Sequence, residues 1–358
     1  MLNCRSTVLF LAAVTLSAFW LVSGPALACA FDMVKPERTQ IDWIVDAETL
    51  VLARPSDANP FAFEVTRVLH GEGERPPIDQ LVDSATRRKF AVKPADRVLF
   101  AYRSELGWRR VAIVDDSFRD VLQAALDHRI SWQTGMPQSR IDFIAALQDS
   151  STPAHKAIVI GELDKIPYAD LRQFDLRISS DELLGDLWTP DGYPYQAIRA
   201  LLLGLSEAPS ARQEIHEYID RVRDWSWANN LGAFSAAFIE QEGASGVAYL
   251  AQSMLLDPDQ PLEKLEQIVM AMSVHHDLSD KATKSAIRDV VQKLVDRRPE
   301  AGVIVARQFS LRSDWSQAAV LEPLVQQRKV GLSDLFTISV YLARARETDA
   351  GKGGVVFE

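Results

Sequence analysis

Cysteine is nearly missing from this 358-residue chain, which has only Cys4 and Cys29. Cys4 lies in an N-terminal stretch that reads as a removable leader, so the mature chain keeps at most one thiol. That excludes internal disulfides and a closed thiolate zinc site. Positive charge is also scarce: Lys and Arg number 39 against 49 Asp and Glu, a formal net charge of −10. Removing Arg5 with the leader leaves 38 against 49, or −11. No basic field is present for nucleic acid, and no basic cluster for an anionic membrane. The spacings His-Glu-x-x-His, Cys-x-x-Cys and Gly-x-Ser-x-Gly are absent, as is a Gly-rich phosphate loop. No cofactor and no catalytic residue is therefore expected.

What is present begins with the leader. Arg5 is the only charge in residues 1–28, and an uncharged run from Ser6 to Gly24 ends in the small-residue exit Ala26-Leu27-Ala28. This is the layout of an export signal, which places the protein outside the cytoplasm, in the periplasm of a bacterial envelope. An uncleaved membrane anchor is the other reading of the run. Ala26-Leu27-Ala28-Cys29 also resembles a lipoprotein processing box, in which Cys29 would be acylated. Membrane association is thus expected only through a lipid on Cys29 or an uncleaved leader. About 330 residues remain, enough for two ordinary domains with sizeable cores.

The two halves have different periods. Thr49–Ala53, Phe61–Leu69, Arg97–Tyr102 and Trp108–Val114 read as strands, the last two joined by the turn Ser104–Gly107 into a hairpin. A helix over about 118–128 closes this half. Some five short strands with one helix predict a small barrel or sandwich over residues 29–135. After Pro137 the period becomes helical. Ile215, Tyr218, Ile219 and Val222 fall on one helix face, as do Leu262, Leu265, Val269 and Met272, and Ile287, Val290, Val291, Leu294 and Val295. Prolines punctuate these segments, and Ser179 and Ser333 offer N-caps. Ala157–Leu163 and Ala197–Leu203 lie 40 residues apart, the offset of helical-hairpin repeats of the HEAT or armadillo type. The expected fold is α+β: a barrel of OB type, then an all-α HEAT-like repeat domain over 136–346, then a flexible tail over 347–358. A compact helical domain is the alternative.

The first half resembles a known family. Cys29 just after the leader, the strand Val51-Leu52-Ala53, and Phe63-Glu64-Val65-Thr66-Arg67-Val68-Leu69-His70-Gly71 are similar to exported netrin-like modules, the OB-type barrels related to tissue inhibitors of metalloproteinases. The match covers about residues 29–115. In the inhibitors the first cysteine chelates the target's zinc and is tied in a disulfide; here Phe31 stands where a second cysteine is usual, and no partner thiol exists. The resemblance implies a barrel used for binding or spacing. The second half looks like degenerate helical repeats of exported bacterial proteins.

The histidines are His70, His128, His155, His216, His275 and His276. The one cluster, His275-His276-Asp277, resembles the His-Asp pair of helical metal-dependent phosphohydrolases, with His216 and Asp280 as candidates for the remaining ligands. Asp115-Asp116 and Asp257-x-Asp259 are carboxylate pairs without further support. Trp225-Ser226-Trp227 and Tyr193-Pro194-Tyr195 are aromatic runs at helix joints, and aromatics of this kind anchor partners. The leading expectation is a non-enzymatic protein-binding or scaffold protein of the envelope, its partner an envelope or secreted protein met through Trp225, Trp227, Tyr193 and Tyr195. A metal-dependent hydrolase centred on His276 and Asp277, and a protease inhibitor acting through Cys29, are the alternatives.

Overall fold

The computed structural model describes residues 38–73 and 76–352. The leader and Cys29 lie outside these residues, and with them the lipoprotein and inhibitor readings.

The chain is α+β. Strands β1 (Thr49–Pro55), β2 (Phe63–His70), β3 (Arg97–Arg103) and β4 (Gly107–Val114) form one antiparallel sheet in the order β2-β1-β3-β4. The β3–β4 hairpin is the one expected from spacing, and Gly107 supplies the positive φ of its turn. The barrel expectation is corrected: β2 and β4 are not paired with each other, so the sheet is open. Both faces of β1 and β3 are nonetheless covered, because alternate side chains point opposite ways, while β2 stays largely exposed. Leu50, Leu99 and Ala101 face helices α1 (Gln40–Val45), α3 (Asp116–Asp127) and α4 (Arg129–Gln133). Val51, Ala53, Val98 and Phe100 pack instead with Trp108 and with Phe90 of α2 (Ser84–Val92). The inner strands, held between helices on one side and α2 on the other, pack without the sheet closing on itself, and β2 forms an exposed edge.

The helical part follows. Helices α5 (Gln138–Leu147) and α6 (Pro153–Leu163) join the sheet unit to the rest, for Phe143, Leu147 and Ile158 pack into the sheet's own core. Then come α7 (Tyr168–Leu171), α8 (Ser180–Leu187), α9 (Gln196–Gly204), α10 (Pro209–Val222), α11 (Leu231–Glu242), α12 (Ala244–Leu250), α13 (Leu262–Leu278), α14 (Lys281–Arg297), α15 (Gly302–Ser310), α16 (Ala318–Gln326) and α17 (Leu332–Lys352). The faces read from sequence are buried: Ile215, Tyr218, Ile219 and Val222 on α10, and Ile287 to Val295 on α14. Ser179 caps α8 by accepting from the Glu182 amide, whereas Ser333 lies inside α17 and caps nothing.

Helices α9, α11, α13, α15 and α17 lie side by side in one row, with α12, α14 and α16 in a second. The middle of the first row is apolar all round, as a helix flanked on both sides must be. Leu231–Ile239 is buried without interruption. Gly204 permits a close backbone approach of α9 to α11, since a Cβ there would stand 2.6 Å from Ala237 Cα. This is not the HEAT array expected. Helix lengths run from 7 residues in α12 to 21 in α17, and α12 passes into a π-helical turn at Ala251–Leu255. The two runs 40 residues apart have unlike settings, one in α6 against the sheet and one in α9 within the row. Helix α17 continues to Lys352, into the segment expected to be tail. Its outer face leaves Leu332, Phe336 and Val340 exposed, because the row ends there.

Candidate functional site

Three places gather polar or aromatic side chains, and their geometry separates a joint, an aromatic surface and a small acidic cluster.

The joint lies between α1, α5 and α6. Thr39 and Asp42 form a capping box at the start of α1: the Thr39 hydroxyl accepts from the Asp42 amide at 3.1 Å, and the Asp42 carboxylate accepts from the Thr39 amide at 3.0 Å. The same hydroxyl donates to Glu162 of α6. Arg140 of α5 bridges the two acids, Nε to Glu162 Oε2 at 2.7 Å and Nη2 to Asp42 Oδ1 at 2.8 Å, and Nη1 donates to the Trp132 carbonyl at 3.1 Å. Lys165 also donates to Asp42. Arg140 and Glu162 are 1% and 0% exposed, yet two cations oppose two anions. Burial pushes the Glu162 carboxyl up, with Arg140 and Thr39 opposing; burial pushes Asp42 up as well, but Lys165 and Arg140 outweigh it and hold it low. Tyr195 comes here too. Its hydroxyl lies 3.0 Å from where a Gly161 Cβ would stand, and burial, aided by Asp164, Glu162 and Asp42, pushes it up to about 12. Tyr195 is therefore a half-buried wall of the joint. Sequence reasoning missed the joint because its members are scattered between 39 and 165.

The aromatic surface is built around Tyr218 of α10. Tyr218 stacks on Phe234 at 3.7 Å and on Trp188 at 5.7 Å between ring centres. Arg221 stands 5.4 Å over the Trp188 ring, whose indole N–H donates to Glu214 at 2.9 Å. The Tyr218 hydroxyl donates to the Asn229 carbonyl, and Asn230 donates to Gln196, which donates to the Leu187 carbonyl. These bonds fasten the Asn229–Asn230 end of the Trp225–Asn230 loop beside Tyr218, on which Trp188 stacks, and next to Leu187. Lys264 fastens the same loop from below, donating to the carbonyls of Val222, Arg223 and Trp225 at 3.0, 2.7 and 2.6 Å. A cation at the C-terminal end of α10 suits the helix dipole. Trp188, Trp225 and Trp227 are nonetheless 47%, 52% and 58% exposed. Tyr193 is half-buried nearby. Trp188 was missed in sequence because it stands alone at a helix end, without an aromatic neighbour in the chain.

The histidines separate. His216 pairs with Glu242 at 2.9 Å, and Asp280 caps α14 by accepting from the Thr283 amide at 2.7 Å, so neither joins His276. His155 bonds Ser150 and the Ser117 carbonyl, and His128 stacks on Trp132. His275 is fully buried; its Nε2 donates to the Ala236 carbonyl at 2.9 Å, and burial lowers it to about 4. Asp115 caps α3, and Asp257 accepts from the Asp259 amide in a turn. What does approach His276 is Asp314, absent from any sequence motif: Nδ1 stands 2.7 Å from Asp314 Oδ2 and 3.8 Å from Asp277 Oδ1. Burial pushes Asp314 up, but His276 and Ser316 outweigh it and hold it low.

A groove of about 920 Å³ opens between α7, α9 and the C-terminal ends of α11 and α13. Along it Arg172 donates to Glu240, which also accepts from Tyr168, and to the Leu278 carbonyl. Among the described residues, no helix is long and apolar enough to cross a membrane. Comparison with family models, curated proteins and solved structures finds no match to this chain.

Proposed function

We propose that this is a non-enzymatic exported protein that binds an envelope or secreted protein through the face bearing Trp188, Trp225 and Trp227. One observation carries the reading: three large aromatic side chains stand about half in solvent, Trp188 fixed by its stacking on Tyr218 and Phe234 and its bond to Glu214, and Trp225 and Trp227 on a loop whose backbone Tyr218 and Lys264 tie down. An aromatic that is exposed but conformationally fixed loses little entropy on docking, and tryptophan with a neighbouring arginine is the composition of interface hot spots. The dispersal of the histidines supports the non-enzymatic part.

The test is recovery of the partner from envelope extract with the full mature chain, followed by binding of the purified pair. The triple variant Trp188→Ala, Trp225→Ala, Trp227→Ala weakens binding by at least about 2 kcal/mol, some thirtyfold, while its circular dichroism stays that of the native chain. Unchanged affinity in the triple variant contradicts the reading.

A further inference from the structure

We propose that His276, Asp277 and Asp314 ligate a divalent transition metal of the zinc class, which clamps the end of α13 to the turn before α16. His276 and Asp277 come from the last turn of α13, and Asp314 from the segment after α15. One ligand atom from each lies within 4.8 Å of the others. An imidazole nitrogen with two carboxylate oxygens suits zinc and its neighbours, and does not suit calcium or magnesium.

Three observations go beyond the cluster itself. His276 Nδ1 and Asp314 Oδ2 are 2.7 Å apart but not aligned as a hydrogen bond, so a carboxylate oxygen nine-tenths buried is aimed at the imidazole without a hydrogen-bond partner. Two ligands of a tetrahedral ion, each about 2.1 Å from it, stand about 3.4 Å apart, so the His276 and Asp314 atoms open outward from 2.7 Å to admit the metal. The charge is also unbalanced: among the described residues neither Asp277 nor Asp314 has a lysine or arginine partner, and Asp277 stands at a helix C-terminus, where the dipole disfavours a carboxylate. Lastly, Asp314 is preset. Its Oδ1 accepts from the Ser316 amide at 2.9 Å, and Tyr341 holds the turn by donating to the Asp314 carbonyl at 2.8 Å and accepting from the Gln317 amide at 3.0 Å. Of the two ring nitrogens, Nδ1 is the one that faces the carboxylates, 2.7 Å from Asp314 and 3.8 Å from Asp277. Asp277, 70% exposed, leaves the outer side open to water as a further ligand.

The experiment is calorimetric titration of the untagged, chelator-stripped mature chain with Zn²⁺ alone near pH 7.5, with Co²⁺ absorption as a second readout. One ion binds per chain, and His276→Ala or Asp314→Asn lowers the affinity at least about tenfold. Asp277→Asn keeps the fold of an exposed position and also lowers the affinity, and Zn²⁺ raises the melting temperature of the native chain more than that of this variant. Absence of saturable Zn²⁺ uptake by the native chain, or the same affinity in Asp277→Asn, overturns the proposal.

Discussion

The joint at Arg140 and the cluster at His276 both hold carboxylates among helices, and they are built on opposite terms. At the joint every charge is answered: Arg140 and Lys165 face Asp42 and Glu162, Thr39 fills the remaining acceptor position, and the guanidinium and Glu162 are sealed from solvent. At the cluster Asp277 and Asp314 face a single imidazole beside a helix C-terminus, and Asp277 reaches into water. A closed, neutral network fixes how two parts of a chain meet; an open, anionic one is left wanting a cation. The comparison therefore assigns the joint to architecture, where it fastens α1 and the sheet unit to α5 and α6, and the cluster to binding.

The largest effect comes from breaking the closed network. Arg140→Ala leaves Glu162 buried without its cation and costs about 3–5 kcal/mol in urea unfolding, whereas Arg140→Met combined with Glu162→Leu recovers most of that loss, since a buried pair removed whole costs little. His275, next in the chain to His276 but inside the packing, gives the second effect. Its folded value of about 4 lies below the ordinary 6.5, so the unfolded chain takes up the proton first as pH falls. Stability present above pH 6.5 is lost progressively down to about pH 4, by about 3 kcal/mol in all, and levels off below. His275→Gln removes that slope, which unfolding free energies measured from pH 7.5 to 4 reveal. The smallest effect is at the open cluster. Asp277→Asn in chelator-stripped protein raises stability by about 0.3–1 kcal/mol through relief at the helix end, and in Zn²⁺ the sign reverses; melting curves with and without metal read both.

The secondary structure was legible wherever a period could be counted. The β3–β4 hairpin carries its turn in Ser104–Gly107, and the buried faces of α10 and α14 stand at helical spacing. Helix α2 was not, because Ser84-Ala85-Thr86-Arg87-Arg88-Lys89 is polar and only Thr86 and Phe90 are buried. Closure of the sheet was not either: short strands with breakers are shared by barrels and open sheets, and what decides is whether α1, α3 and α2 cover both faces. Of the sites, Trp225, Trp227, His276 and Asp277 were visible as neighbours in the chain. Asp314, Trp188 and the whole Arg140 joint were not, since their partners lie far off in sequence and only packing unites them. Tyr195 was visible as an aromatic at a helix start, but its position against Gly161 depends on a glycine in another helix.

The claim on which the account rests is that the tryptophan face meets a protein in the envelope. Photocrosslinking in living cells, from a benzoyl-phenylalanine at position 227 and from one at exposed position 311, addresses it directly. One discrete adduct from 227 that vanishes with Trp188→Ala, and none from 311, is the expected result; no adduct from 227, or the same adduct from both positions, contradicts it.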